Sequence, residues 1–362
     1  MKFVISGGGT GGHIFPAIAI ADALKQRCPE AEILFIGAQG RMEMDRVPKA
    51  GYPIEGLWIS GLTKDWSVFT LPFKLISSLK KAKEILKNFQ PDAVIGVGGF
   101  ASGPTLKAAN WLGIPTIIQE QNSYPGKTNR NVGKKAKAIC VAYNGLDRWF
   151  PEMKLHFTGN PLRANISGDC NREEAAAYFG VDPSKPVVLL VGGSQGALGI
   201  NRGISAQIEK FKDSDMQLIW QTGKFYYEEA VKEVKEKHLE EKVKPTLFID
   251  RMDLAYSVAD VVISRAGAMS ISELALVKKP VIFVPLPTAA EDHQTKNAQQ
   301  LVDAGAALMV KNDETELVLI PKLQELLRDT ARQESMKKNI ATFARPNAAK
   351  DIVDVILKSI EQ

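Results

Sequence analysis

Short apolar runs alternate with longer amphipathic stretches along most of the chain. Apolar runs of this length predict strands, and apolar residues recurring three or four positions apart predict helices. In the first half the predicted strands are Lys2–Ser6, Ala31–Ile36, Ile54–Trp58, Ala93–Val97, Thr116–Glu120 and Ala138–Val141. The predicted helices between them are Ile14–Arg27, Met42–Ala50, Leu71–Phe89 and Pro104–Leu112. Because parallel strands need crossover connections, this alternation predicts an α/β fold with a doubly wound parallel sheet.

The second half of the chain repeats this alternation. Its predicted strands are Val187–Val191, Gln217–Gln221, Thr246–Ile249, Val261–Ser264 and Val281–Val284. Between the halves, the Gly-Asn-Pro of Thr158–Arg163 is typical of a loop and predicts a hinge. A chain of 362 residues is also too long for one ordinary domain. We therefore predict a domain over residues 1–161, a second over 162–344, and a final helix (Ala348–Ile360) in residues 345–362.

The composition is that of a soluble globular protein, with 45% hydrophobic and 24% charged residues. No stretch approaches the roughly 18 apolar residues that a membrane span needs, and the apolar run Phe3–Ile5 is too short for a signal peptide. We therefore expect the protein on the cytoplasmic side. Cys28, Cys140 and Cys170 lack any CxxC spacing, which predicts neither a disulfide framework nor a zinc site.

The formal net charge of +5 comes with lysine-rich groups in the first half, at positions 80–87 and 127–137. Such an excess suits an anionic lipid, a nucleic acid or a phosphorylated substrate. Four apolar residues of the first lysine-rich helix lie at helical spacing and are predicted core positions: Ile76, Leu79, Leu86 and Phe89. Three aromatic residues before it or in its first turn fit either a core or an interface with anionic lipid: Trp66, Phe69 and Phe73.

A glycine cluster, Gly7-Gly-Gly-Thr-Gly-Gly-His13, follows the first predicted strand. A strand that runs through glycines into a helix offers bare N–H groups and a positive helix end to an anion. The cluster satisfies GxGxxG, but Leu34–Gln39 lacks the acidic residue that a dinucleotide site requires. His13 either caps the helix, or acts as a base or phosphate ligand at the strand ends. We favour the second role.

Two further glycine loops follow predicted strands, at Gly96–Pro104 in the first half and Gly192–Ala197 in the second. A pair of anion-binding loops in the first half suits a diphosphate-bearing ligand. In the second half, Arg265–Glu273 opens another helix, where Glu273 either complements the helix dipole or grips two ribose hydroxyls. Polar residues that suit a sugar follow the next strand: His293, Gln294 and Asn297. Asp213-Ser-Asp215 is interpreted as a solvated turn, and no metal site or cofactor is predicted.

Taken together, the motifs resemble those of glycosyltransferase family 28, the N-acetylglucosaminyltransferases that act on the lipid-linked muramoyl-pentapeptide of peptidoglycan. The resemblance spans essentially the whole chain. It rests on Gly8–His13, Gly98–Gly103, Glu120–Asn122, Thr158–Arg163, Gly192–Ala197, Arg265–Glu273 and His293-Gln294 with Asn297. The chain departs from the common pattern at Met269-Ser270, where a Leu-Thr pair is usual, and at His293, where some relatives have Gln.

This resemblance implies a GT-B fold, in which two Rossmann-like domains face a deep cleft and the terminal helix returns to the first domain. It implies that UDP-N-acetylglucosamine is the donor and that the lipid-linked muramoyl sugar, lipid I, is the acceptor. The implied donor residues are Thr10, Gly11, Gly12, Asn122, Arg163, Ser194, Ile249, Met252, Ala268, Met269, Ser270, Glu273, Gln294 and Asn297. The resemblance also implies that the acceptor diphosphate lies on the Gly8–Gly12 and Gly98–Gly103 loops, with contacts from Gly9, Thr10, Gly98, Gly99 and Phe100.

The reaction implied is a metal-independent inverting transfer. His13 is the predicted base, assisted by Glu120 or Asn122. The resemblance also implies a membrane-contact face around 66–83, with Trp111 and the lysines near Lys134, so that the protein is peripheral to the cytoplasmic face of the plasma membrane. Other cell-wall synthesis proteins are possible partners, and no nucleic acid is expected. The alternatives are a UDP-sugar 2-epimerase, a glycolipid glycosyltransferase or a non-catalytic binding module.

Overall fold

The structure is a computed structural model, and it describes residues 1–60, 71–162, 166, 169–193, 196–289 and 292–361. The chain divides into two compact units. One combines Met1–Arg163 with Arg345–Gln362, and the other is Ala164–Ala344. We call these the first and second domains.

The first domain contains a parallel sheet of seven strands in its described part, in the order β3-β2-β1-β4-β5-β6-β7. The strands are β1 (Lys2–Ser6), β2 (Glu32–Ala38), β3 (Ile54–Leu57), β4 (Ala93–Gly96), β5 (Thr116–Glu120), β6 (Ala138–Val141) and β7 (Leu155–Phe157). The helices are α1 (Gly11–Arg27), α2 (Glu43–Lys49), α3 (Leu71–Phe89), α4 (Ser102–Trp111), α5 (Lys127–Gly133) and, from the end of the chain, α14 (Ala348–Glu361).

Helices cover both faces of this sheet. Successive strand residues point to opposite faces, so neighbouring residues of one strand are buried in different cores. Phe3 and Ile5 of β1 pack in a core with α1 and α14, whereas Val4 packs in a second core with α3 and α4. Near the domain boundary, the guanidinium of Arg345 lies 4.8 Å from the ring centre of Phe157. Phe157 and Arg345, which precede and follow the second domain in the sequence, are therefore neighbours within the first domain.

The second domain contains a parallel sheet in the order β10-β9-β8-β11-β12-β13. The strands are β8 (Val187–Val191), β9 (Gln217–Gln221), β10 (Val243–Thr246), β11 (Val261–Ser264), β12 (Val281–Phe283) and β13 (Leu308–Met309). The helices are α6 (Arg172–Phe179), α7 (Leu198–Ser205), α8 (Tyr227–Glu236), α9 (Met252–Val258), α10 (Ala268–Val277), α11 (His293–Asp303), α12 (Thr315–Arg328) and α13 (Thr330–Ala341). Two parallel, helix-covered sheets confirm the predicted α/β class.

Two local predictions are wrong. The strand predicted at 246–249 lies at Val243–Thr246, where Lys244 and Pro245 lower the β propensity that the prediction relied on. Proline is tolerated there because β10 is an edge strand. Ile76, a predicted core residue, is 54% exposed, since α3 buries Ser78, Ala82 and Leu86 instead.

In both sheets the strand order reverses beside the first strand of the domain. β1 lies between β2 and β4, and β8 lies between β9 and β11. Open α/β sheets bind ligands beyond the carboxyl ends of the strands at such a reversal. The fold therefore predicts ligand binding at the loops that follow β1 and β4 in the first domain, and at those that follow β8 and β11 in the second.

Candidate functional site

The two glycine loops of the first domain pack backbone against backbone. The parallel pairing of β1 and β4 ends at Ser6 opposite Gly96, so both loops leave the same sheet edge. A Cβ atom on Gly99 would lie only 2.3 Å from the carbonyl oxygen of Gly8. Gly99 also has a φ of +86°, a region that favours glycine. Both the close approach and the backbone conformation therefore require glycine at this position.

His13 lies in the first turn of α1, directly after the first glycine loop, and its ring contacts the second loop at Gly98. Its Nδ1 atom is 3.3 Å from the hydroxyl of Thr10, and its Nε2 atom is 2.9 Å from where a Cβ of Gly98 would stand. The exposed ring of Phe100 lies over Gly9, 3.7 Å from the position of a Cβ there. The structure therefore brings together the predicted base and the residues predicted to contact the acceptor diphosphate.

The N–H groups around this site are not equivalent. Gly11 and Gly12 are the first two residues of α1, where backbone N–H groups have no partner within the helix. These groups suit an anion. Gly9, by contrast, donates its N–H to the Oε2 atom of Glu43 at 2.9 Å. The N–H of Gly9 is thus committed to the protein, and any acceptor contact by Gly9 would have to use its other atoms.

Glu120, a predicted assisting group in catalysis, is fully buried in the first domain. Its Oε1 accepts from the backbone and side-chain N–H groups of Asn122, at 3.1 and 3.3 Å. Its Oε2 accepts from the N–H of Gly126 and the Nδ2 of Asn129, at 3.1 and 2.9 Å. Burial raises the pKa of Glu120, and these hydrogen bonds oppose the rise. With four donors and almost no exposed surface, Glu120 is better suited to hold the loop after β5 than to exchange a proton with substrate.

Sequence reasoning missed Asn129, which lies on the short helix α5. Its Nδ2 atom bonds to Glu120 and is 3.9 Å from where a Cβ of Gly98 would stand. Its Oδ1 atom is buried and has no hydrogen-bond partner among the described residues. A buried amide oxygen without a partner is costly, so Asn129 is a candidate acceptor for a donor group of a ligand. Asn122, predicted to contact the donor, is half-buried on the loop between β5 and α5.

In the second domain, α10 begins directly after the loop that follows β11. Ala268, Met269 and Ser270 form its first turn, and Glu273 follows one turn later. The hydroxyl of the buried Tyr256 donates to Oε2 of Glu273 at 3.0 Å. This hydrogen bond orients the carboxylate of Glu273, the residue predicted to bind the ribose.

Arg265, at the end of β11, donates to the carbonyl oxygens of Val284 and Pro285, each at 3.0 Å. Burial lowers the pKa of Arg265 to about 10, which leaves it charged at neutral pH. Arg265 therefore ties the loop after β12 to the end of β11.

The remaining predicted donor residues differ in how accessible they are. Gln294, on α11, is half-buried, and its Oε1 accepts from the N–H of Leu286 at 3.0 Å. Asn297 has no exposed surface, so direct contact with a sugar stays a prediction. Ile249 and Met252 contribute their side chains to the core, and the N–H of Ile249 points at Gln221. Arg163 and Ser194, predicted to contact the donor diphosphate, lie outside the described residues.

Comparison with known proteins gives matches over nearly the whole chain. Residues 3–141 match the model of the glycosyltransferase family 28 N-terminal domain, and residues 187–352 match that of the family's C-terminal domain. A Flavobacterium psychrophilum protein is 52% identical over 363 residues, covering 99% of this chain and 98% of that relative. That relative is named UDP-N-acetylglucosamine–N-acetylmuramyl-(pentapeptide) pyrophosphoryl-undecaprenol N-acetylglucosamine transferase.

Solved structures agree with the fold. Acinetobacter baumannii MurG superposes with a TM-score of 0.78 at 30% identity, covering 99% of each chain. A Neisseria meningitidis UDP-GlcNAc 2-epimerase, solved with UDP-GlcNAc, gives 0.69 at 18% identity, with 99% of this chain and 100% of that one covered. At that identity the second likeness concerns the fold alone.

Proposed function

Because this chain belongs to glycosyltransferase family 28, we propose that it transfers N-acetylglucosamine from UDP-N-acetylglucosamine to lipid I. The acceptor group is the 4-hydroxyl of the muramoyl sugar, and the product is lipid II, a precursor of peptidoglycan. The observation that carries the proposal is the 52% identity, over nearly full length, to a relative named for this reaction. The placement of His13 beside two glycine loops supports it, since this arrangement provides a base next to an anion site.

We place the acceptor diphosphate on the first domain. The N–H groups of Gly11 and Gly12, for which the resemblance also implies donor contacts, have no partner within α1 and suit an anion there. Gly98 and Gly99 lie against His13 and Gly8 at the same sheet edge. The half-buried ring of His13 lies at this edge, where its Nε2 can take the proton of the attacking hydroxyl. The exposed ring of Phe100 offers an apolar surface for the sugar or the start of the lipid.

We place the donor on the second domain, around the N-terminus of α10. Glu273 accepts from Tyr256 through one oxygen, and its carboxylate geometry suits the two hydroxyls of a ribose. Gln294, half-buried at the start of α11, is proposed to bind the sugar together with Asn297, as the family resemblance implies. Arg163 and Ser194 remain the residues proposed for the donor diphosphate, from the family resemblance.

In the proposed reaction the acceptor oxygen attacks the anomeric carbon as His13 removes its proton. The bond between that carbon and the diphosphate oxygen breaks, the configuration inverts, and UDP leaves. Positive helix ends and Arg163 would stabilise the negative charge that develops on the leaving diphosphate. Such preorganised donors act most strongly where water is excluded.

We also propose that the first domain binds the cytoplasmic face of the plasma membrane through α3 and its neighbours. Four large apolar side chains there are more than half exposed: Trp58 (51%), Phe73 (70%), Ile76 (54%) and Trp111 (55%). Exposed lysines of α3 accompany them, which suits anionic lipid. Trp66 and Phe69, predicted for the same face, lie outside the described residues. Across the described part of the chain, no helix combines the length and apolarity needed to cross a bilayer.

The decisive experiment measures UDP release from UDP-N-acetylglucosamine with and without a lipid I analogue. Transferase activity predicts UDP release that depends on the acceptor, together with a disaccharide product. A 2-epimerase would release UDP without this acceptor or would isomerise the sugar. Another glycolipid glycosyltransferase would require a different lipid. A binding module would release no UDP in either mixture. Any of these results would refute the proposal.

A further inference from the structure

Glu43 is a buried acidic residue that sequence reasoning did not single out. It is 1% exposed, at the start of α2, and its two carboxylate oxygens have separate partners. Oε2 accepts the N–H of Gly9, and Oε1 accepts the N–H of Ala38, both at 2.9 Å. Within the part of the chain that the structure describes, no lysine or arginine pairs with it. The carboxylate thus joins the glycine loop after β1 to the end of β2.

These contacts differ from ordinary helix capping. An acidic residue in the first turn commonly complements the dipole of its own helix. Both donors to Glu43, however, come from segments outside α2, one 34 residues and the other 5 residues away in sequence. The side chain therefore acts as a bridge between two strand ends.

The glycine loop is shaped around this carboxylate. Gly8 has a φ of +146°, and a Cβ there would lie 2.2 Å from the Oε1 atom of Glu43. Gly8 in turn supports Gly99 of the second loop, and the neighbouring Gly98 faces the ring of His13. A continuous line of contacts thus runs from Glu43 through both loops to the proposed base.

We propose that Glu43 is a positioning residue for the acceptor site. By accepting the N–H of Gly9, it turns that peptide away from the ligand and holds the following residues so that α1 presents its N–H groups and His13 to the acceptor. This inference rests on the proposed function. It predicts that loss of the carboxylate impairs use of the acceptor and leaves the donor site on the second domain unaffected.

The test compares Glu43→Gln with Asp45→Asn. Glutamine has nearly the same shape but one acceptor oxygen, so its NH₂ group would face one of the two N–H donors. Asp45→Asn removes the same charge from an exposed position on the same helix, where Asp45 pairs with Lys49. For Glu43→Gln we expect kcat/KM for a lipid I analogue to fall at least tenfold and UDP affinity by calorimetry to change less than twofold. For Asp45→Asn we expect both to stay within twofold of the wild type.

Normal acceptor kinetics in folded Glu43→Gln would overturn the proposal, and so would equal losses at the donor and acceptor sites. Amide hydrogen exchange provides a readout that does not depend on activity. In the wild type, the N–H of Gly9 should exchange more slowly than that of the exposed Gly145, and Glu43→Gln should remove this protection. Rapid exchange at Gly9 in the wild type would overturn the proposal even if the variant fails to fold. If the wild type does not use lipid I, the proposed function fails, whereas slow exchange at Gly9 would still support the role of Glu43 in the loop.

Discussion

Gly99→Ala should destabilise the first domain far more than Gly113→Ala. Both glycines have positive φ, +86° and +72°, so alanine meets a similar backbone penalty at each site, about 1 kcal/mol. At Gly113 a Cβ has no atom within 4 Å. At Gly99 it would lie 2.3 Å from the oxygen of Gly8 and 2.9 Å from its nitrogen. The difference between the two variants therefore isolates the contact between the glycine loops.

The magnitude follows from the atoms involved. To restore ordinary contact, the two loops must separate by about 1 Å, and no side-chain rotation can relieve a clash with backbone. Overpacking of this kind costs about 1–3 kcal/mol, so we expect a total loss of about 2–4 kcal/mol for Gly99→Ala and about 1 kcal/mol for Gly113→Ala. Separated loops should also impair use of the acceptor.

Urea unfolding followed by tryptophan fluorescence tests this directly, since four of the five tryptophans precede residue 150 and report mainly on the first domain. Kinetics with a lipid I analogue should show at least a tenfold loss of kcat/KM in Gly99→Ala and none in Gly113→Ala. Equal stability losses in the two variants would refute the packing argument. Unchanged acceptor kinetics in Gly99→Ala would show that these loops do not form part of the acceptor site.

Three further predictions concern single side chains. His13→Ala should lower kcat roughly 10²-fold or more if His13 is the base, whereas a near-normal kcat with a raised acceptor KM would make it a binding residue. Tyr256→Phe should weaken UDP binding about fivefold, through loss of one hydrogen bond to Glu273, and unchanged affinity by calorimetry would contradict this. Hydrogen bonds from Arg251 lower the pKa of Asp253 to about 2, so their stabilisation is present above the ordinary pKa of aspartate and is lost as the pH falls through 2. Because Arg251 is half-exposed, Asp253→Asn should cost about 1 kcal/mol at pH 7 and roughly half that at pH 3, and a pH-independent cost in urea unfolding would contradict the assignment.

Much of the fold could be predicted because its inner strands are buried on both faces and appear as continuous apolar runs. β1, β5, β6, β8, β9 and β11 have the predicted bounds. The edge strand β10 was misplaced because Lys244 and Pro245 give no such signal. Helix α5 was missed because its seven residues, KTNRNVG, have almost no apolar periodicity. Local pattern therefore succeeds where burial alone determines the residue type.

The candidate site was less predictable, for a different physical reason. The glycine loops could be recognised in the sequence because backbone conformation and close approach require glycine. The polar residues that shape these loops could not be recognised in the same way: Glu43 contacts Gly9 across 34 positions, and Asn129 contacts Glu120 from an unpredicted helix. Glu120 itself was visible in the sequence, yet only its burial shows that its oxygens are already occupied. Such roles depend on which segments the fold brings together.

The return of α14 to the first domain makes the second domain an insertion in the covalent sense. During synthesis, residues 164–344 leave the ribosome as a complete unit before Ile352, Val353 and Ile356 are available to fill the core beside α1. The second domain can therefore finish folding while the first still exposes an apolar strip on its sheet. A chain that stops near residue 345 would keep the proposed donor site, and it would carry the unfilled core of the first domain as a surface prone to aggregation.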